Sequence, residues 1–137
     1  MPDGGPRPER AARPRLLVVD DEPLNRDLLR RALHAQYLVE EAEDADTAAG
    51  ILAADGPPVL AVLCDQLMPG RSGTELAAEV RAKWPSTRFL LLTGYDDDPD
   101  VQRAHREGLV DQVVTKPWSS RALKQLLTNL FADSPRR

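Results

Sequence analysis

Four short apolar runs in this 137-residue sequence end on polar residues of complementary chemistry. Asp20 and Asp21 follow Leu16-Leu17-Val18-Val19, Asp65 follows Leu60-Ala61-Val62-Leu63-Cys64, Thr93 follows Phe89-Leu90-Leu91-Leu92, and Lys116 follows Val113-Val114-Thr115. If the runs are strands of an open parallel sheet, their carboxyl ends converge on one edge, where ligands bind. Three carboxylates, a hydroxyl and an ammonium then share one pocket. Carboxylates this crowded stay ionised only with a cation among them. Lys116 contributes one positive charge, and hard oxygen donors from Asp20, Asp21 and Asp65 are what Mg²⁺ selects. A carboxylate can also take up a phosphoryl group as an aspartyl phosphate while neighbouring cations neutralise charge on the phosphoryl oxygens. Asp65 is the best candidate for that nucleophile. It ends the most apolar run and precedes Gln66-Leu67-Met68-Pro69-Gly70-Arg71-Ser72-Gly73, whose glycines permit close approach of the backbone. Thr93 and Lys116 are then the two movable donors. Adjacent aspartates alone would more simply cap a helix; Asp65, Thr93 and Lys116 at equivalent strand ends weigh against that.

The elements that must position these groups are legible in the spacing. From Arg15 onward, apolar runs alternate with segments of helical periodicity, the pattern of repeated strand-helix units in a parallel α/β sheet. The first helix starts at Pro23, runs to about Ala35, and lines up Leu24, Leu28 and Ala32 with Leu29 and Leu33 on one face. Leu38 to Ala42 reads as an outer strand, Asp46 to Ala54 as a helix ended by Asp55-Gly56-Pro57-Pro58, and Val59 to Cys64 as a central strand. Ser72-Gly73-Thr74-Glu75 has capping-box spacing and opens a helix through Leu76, Val80 and Trp84 that Pro85 terminates. Arg88 to Leu92 is the fourth strand. Asp98-Pro99 opens the next helix, Gly108 stops it, and Gln112 to Thr115 is the fifth strand. Ser119 or Ser120 caps a last helix with Leu123, Leu126, Leu127 and Leu130 on one stripe.

Composition fits a single soluble domain: 42% hydrophobic and 29% charged residues, with only 4% aromatic, leave Leu, Val and Ala as core material. We read residues 1–14, rich in Pro, Arg and Gly, as a disordered arm, residues 15–132 as the domain, and residues 133–137 as a flexible tail. A net charge of −4 gives no basic footprint for nucleic acid. No apolar run reaches the roughly 18 residues of a membrane span, and the lone Cys64 forms no internal disulfide, so the expected compartment is the cytoplasm.

The ordered set Val18-Val19-Asp20-Asp21-Glu22-Pro23, Cys64-Asp65-Gln66-Leu67-Met68-Pro69-Gly70 with Ser72-Gly73, Leu92-Thr93-Gly94 and Thr115-Lys116-Pro117-Trp118 resembles the receiver domain of bacterial two-component response regulators. The similarity covers about Arg15 to Ala132. It implies a flavodoxin-like, doubly wound, five-stranded parallel sheet of order 2-1-3-4-5 flanked by five helices. It further implies Mg²⁺ on Asp20, Asp21, Asp65 and the backbone carbonyl of Leu67, phosphoryl acceptance by Asp65, phosphate sensing by Thr93 and Lys116, and a cis peptide at Lys116-Pro117. The implied partners are a sensor histidine kinase or phosphotransfer protein and an unnamed output partner on the surface of the fourth helix, fifth strand and fifth helix. A homodimer is compatible with this reading, and direct contact with nucleic acid or membrane is not expected.

The chain departs from the family pattern near the site. Val113 stands three residues before Lys116, where many receivers carry a Tyr or Phe whose rotamer reports the state, so either Thr93 acts with loop movement alone or another aromatic such as Tyr95 or Trp118 takes part. Leu67 and Tyr95, each two residues beyond a site residue, are bulky enough to restrict water and lengthen the life of an acyl phosphate. Asp96-Asp97-Asp98 and Asp100 read as helix-capping, solvated charge, and His34 and His105 as helical surface residues rather than phosphohistidines. Two rival functions exist. A Mg²⁺-dependent phosphohydrolase of the haloacid-dehalogenase type wants a D-x-D arrangement and a cap domain, both missing here. A phosphorylation-independent interaction module gains support from Val113 but not from the complete Asp, Thr and Lys set. No output domain is visible after Ala132, which suits either a stand-alone receiver or a piece of a larger regulator or hybrid kinase.

Overall fold

A computed structural model describes residues 13–94 and 97–132. Five parallel strands, β1 (Arg15–Val19), β2 (Leu38–Ala42), β3 (Val59–Asp65), β4 (Arg88–Thr93) and β5 (Gln112–Thr115), form one sheet in the order β2-β1-β3-β4-β5. The helices between and after them are α1 (Pro23–Leu33), α2 (Ala45–Ala53), α3 (Gly73–Lys83), α4 (Pro99–Arg106) and α5 (Ser120–Ala132). This is the expected flavodoxin-like topology.

The strands alternate their side chains between two cores, as the pleat requires. Leu17, Val19, Val62, Cys64, Phe89 and Leu91 pack under α2, α3 and α4, while Leu16, Val18, Ala61, Leu63, Leu90 and Leu92 pack under α1 and α5. Central strands buried on both faces explain why these runs are continuously apolar. β2 is an edge strand and shows it, with Leu38, Glu40 and Glu41 outside the core.

Local signals end the elements where physical chemistry requires. Ser72 accepts from the Glu75 N–H while the Glu75 carboxylate accepts from the Ser72 N–H, completing the capping box of α3. Asp44 caps α2 through the Thr47 N–H, and Asp98 caps α4 through the Asp100 N–H with Pro99 in the first turn. Ser119, not Ser120, caps α5 by accepting from the Ala122 N–H at 3.0 Å. Gly108 follows α4 at φ +78°, a conformation that favours glycine.

Three sequence expectations need correction. α1 ends at Leu33, so His34 is its C-cap rather than a helical residue, and its carbonyl accepts from Arg13. Leu24 and Leu28 do not share the buried face: Leu29 and Leu33 are buried and Ala32 packs against the same core, whereas Leu24 is 62% and Leu28 47% exposed. The helix turns the 29/33 stripe to the sheet. β3 extends through Asp65, so the acceptor candidate is the last residue of the strand and not the first of the loop. At the start of the domain, the Pro14 carbonyl already accepts from the Leu38 N–H at 2.8 Å.

Candidate functional site

The carboxyl ends of β1, β3, β4 and β5 deliver the polar residues to one edge. Asp20 and Asp21 directly follow β1, Asp65 ends β3, and Thr93 ends β4 beside Thr115 in the β4–β5 register. Carboxylate oxygens of Asp20, Asp21 and Asp65 lie within 4.8 Å of one another. Lys116 Nζ donates to Asp65 Oδ1 at 2.6 Å, which spans a sequence separation of 51 and brings the ammonium into the acidic cluster. Across the strand ends, the Lys116 N–H donates to the Thr93 carbonyl at 2.8 Å. The Lys116-Pro117 peptide is cis, as the resemblance implies.

The three carboxylates differ in environment. Asp20 is only 4% exposed, Asp65 is partly buried, and Asp21 faces solvent. Burial pushes the Asp20 carboxyl above its ordinary pKa and the Asp65 charge adds to this, opposed by the Glu22 N–H, Lys116 and Asn25. Burial likewise lifts the Cys64 thiol well above its usual range, with Asp65 and Asp20 reinforcing it, which leaves Cys64 an inert core residue.

Asp65 is held from behind by α3. A Cβ on Gly73 would come within 2.6 Å of the Asp65 carbonyl oxygen and of Leu91 Cδ1, so only glycine lets this helix start so close to the strand end. Gln66, buried beside Asp65, uses its amide on Thr74: Oε1 accepts from the Thr74 N–H at 2.9 Å, and its carbonyl accepts from the Gly73 N–H. Gln66 was not singled out from sequence, and a glutamine directly after an apolar strand is the signal that marks it. On the other side, a cavity of about 810 Å³ runs from Asp20, Asp65 and Lys116 between α1 and α5, past Leu28, Ala32 and Trp118.

The structure therefore brings together Asp20, Asp21, Asp65 and Lys116, with Thr93 buried at 2% exposure on the adjacent strand end. Val113 lies apart, lining a separate cavity of about 210 Å³ with Val101, Gln102, His105 and Thr115 on the α4–β5 side. The Leu67 side chain is 58% exposed. Tyr95 and Asp96 lie outside the described residues. Hard oxygen donors clustered within reach of one another, one of them buried, fit a small divalent cation such as Mg²⁺.

Comparison with known proteins agrees with this geometry. Residues 16–128 match the response regulator receiver domain. The chain is 40% identical over 103 residues to the hydrogenase transcriptional regulatory protein HoxA of Cupriavidus necator, covering 75% of this chain and 21% of that protein. It thus spans about a fifth of HoxA, and 49% of another curated relative, the transcriptional regulatory protein AruR of Pseudomonas aeruginosa. Among solved structures, the signal receiver domain of an HD domain-containing protein from Pseudomonas fluorescens superposes with a TM-score of 0.78 at 30% identity, covering 85% of both chains. The response regulator protein TrrA from Thermotoga maritima, in complex with Mg(2+)-BeF, gives a TM-score of 0.71 at 32% identity, covering 85% of this chain and 98% of that one. With the fold, the strand-end cluster and a match over most of its length, the chain belongs to the response regulator receiver domain family.

Proposed function

We propose that this domain accepts a phosphoryl group on Asp65 from a phosphohistidine of a sensor kinase or phosphotransfer protein, and that the modified carboxylate changes the affinity of its surface for an output partner. The observation that carries the reading is the Lys116 ammonium 2.6 Å from Asp65 Oδ1, within a cluster that also holds Asp20 and Asp21. With Oδ1 held by Lys116, the other carboxylate oxygen attacks phosphorus. An O–P bond forms, the N–P bond of the donor imidazole breaks, and the electron pair stays on the imidazole nitrogen, which takes up a proton. Asp20, Asp21 and Asp65, with the Leu67 backbone carbonyl, would hold Mg²⁺. Bound there, Mg²⁺ supplies positive charge against the developing phosphoryl oxygens. The TrrA structure, holding Mg(2+)-BeF in the same fold, supports this assignment.

The phosphoryl group adds negative charge at the end of β3. Lys116 and the Thr93 hydroxyl answer it from β5 and β4, and their shared main-chain hydrogen bond couples the two strand ends. The output surface is α4, β5 and α5, with no direct contact to nucleic acid and with homodimerisation as one form of output. With Val113 three residues before Lys116, the switch works through Thr93 with movement of the loop after it, or with another aromatic such as Tyr95 or Trp118. Exposed Leu67, together with Tyr95, lengthens the life of the acyl phosphate by restricting water. The test is labelling with acetyl phosphate and Mg²⁺, followed by intact mass. The wild type gains one phosphoryl group and Asp65→Asn gains none; equal labelling of both refutes the proposal.

A further inference from the structure

Asp20 is the most enclosed carboxylate of the cluster, and each of its acceptor groups is met by a specific donor. Oδ1 accepts from the Glu22 N–H at 2.9 Å, Oδ2 accepts from Asn25 Nδ2 at 3.2 Å, and its main-chain carbonyl accepts from Arg26 Nη1 at 2.7 Å. Arg26 also donates through Nε to Glu41 Oε1 on β2 at 3.1 Å, and its side chain is only 17% exposed. The guanidinium thus joins three elements: it sits on α1, clasps the peptide that leaves β1, and is braced by β2. Each side-chain oxygen of Asp20 accepts two lone-pair contacts, so one donor apiece orients the carboxylate and leaves room for a cation. Donors of this kind, one shell out from a metal, fix ligand orientation and are worth about 10–100-fold in metal affinity.

We propose that Asn25 and Arg26 are positioning residues for Asp20 as a metal ligand: Asn25 sets the plane of the carboxylate, and Arg26 fixes the Asp20-Asp21 peptide so that both carboxylates face Asp65. This rests on the reading that the acidic cluster holds Mg²⁺. Neither residue follows from the apolar pattern that reveals the cluster itself. Arg30 provides an internal control. It donates to the same Glu41 at 3.1 Å and pairs with Asp27 at 2.6 Å, one turn further along α1, in hydrogen bonds that do not involve Asp20.

The experiment is a calorimetric titration of MgCl₂ into the wild type and the variants Asn25→Ala, Arg26→Gln, Arg26→Lys and Arg30→Gln, each first shown by circular dichroism to be folded. Asn25→Ala and Arg26→Gln weaken Mg²⁺ binding by about 10–100-fold. Arg26→Lys recovers part of the loss, and Arg30→Gln binds as the wild type does. The Mg²⁺ concentration that half-saturates labelling by acetyl phosphate shifts by the same factor. Unchanged binding in Asn25→Ala and Arg26→Gln overturns the inference, as does an equal loss in Arg30→Gln, which would make the effect a general weakening of α1. A wild type that binds no Mg²⁺ overturns the metal reading itself, a result distinct from the other two.

Discussion

Helices α2, α3 and α4 close one face of the sheet over Asp65, the cavities on that side, of about 550 and 210 Å³, being lined by none of Asp20, Asp65 and Lys116, whereas α1 and α5 leave a cavity of about 810 Å³ that opens on all three, although both cores are built from the same Leu, Val and Ala. On the sealed face, Leu76 and Ala77 of α3 are fully buried, Gly73 brings the helix against the Asp65 carbonyl, and Arg71 ties the loop after β3 to Glu79 at 2.6 Å and Asp46 at 3.0 Å. On the open face, Leu24 and Leu28 point away from the core and the cavity reaches Asp65 and Lys116. The sealed face packs against Asp65; the open face gives access to it.

The largest expected effect separates two leucines that look alike in sequence. Leu76→Ala opens a cavity in the sealed core and costs about 2–5 kcal/mol, while Leu28→Ala changes stability by less than about 0.5 kcal/mol. Urea unfolding of the two variants checks this, and equal losses would erase the contrast between the faces. Next comes Gly73→Ala, whose added Cβ meets Asp65 and Leu91. It costs about 1–3 kcal/mol and also slows labelling of Asp65, because the strand end must shift to admit the methyl group. A Gly73→Ala protein that keeps the wild-type labelling rate would show that α3 does not hold the acceptor.

Smaller effects refine the picture. Ser72→Ala removes the capping hydroxyl of α3 and lowers stability by about 1 kcal/mol, read by thermal unfolding. Glu79→Gln has a pH signature. Lys83, then Arg71, hold the Glu79 carboxyl below its ordinary value of 4.5. Its contribution is therefore complete above that value and is lost as pH falls through the lower, folded-state pKa. At neutral pH the variant is less stable by up to about 1 kcal/mol, and the gap to wild type closes as the solution is acidified. A gap that persists in acid would mean that packing, not charge, secures this latch.

The sheet was readable because buried parallel strands must be apolar throughout, and the cluster because each polar residue ends such a run. The helix caps at Ser72 and Asp98 were readable because capping depends on neighbours in sequence. Less legible was whatever depends on which stripe of a helix meets the sheet. Leu24 and Leu28 have the same spacing as Leu29 and Leu33, and periodicity alone does not say which pair the core will cover. Asn25 and Arg26 were hidden for the same reason: polar residues in a first turn look solvated until the strand end beneath them is in place. Gln66 escaped notice because its partner, Thr74, lies across a loop whose path the sequence does not state.

The central claim is that Asp65 is the acceptor. After labelling with acetyl phosphate and Mg²⁺, borohydride reduction converts an aspartyl phosphate to homoserine, and peptide sequencing by mass spectrometry locates it. The account predicts homoserine at position 65 and nowhere else. Homoserine at Asp20 or Asp21, or an acid-labile phosphate on His34 or His105 with Asp65 unmodified, would contradict it.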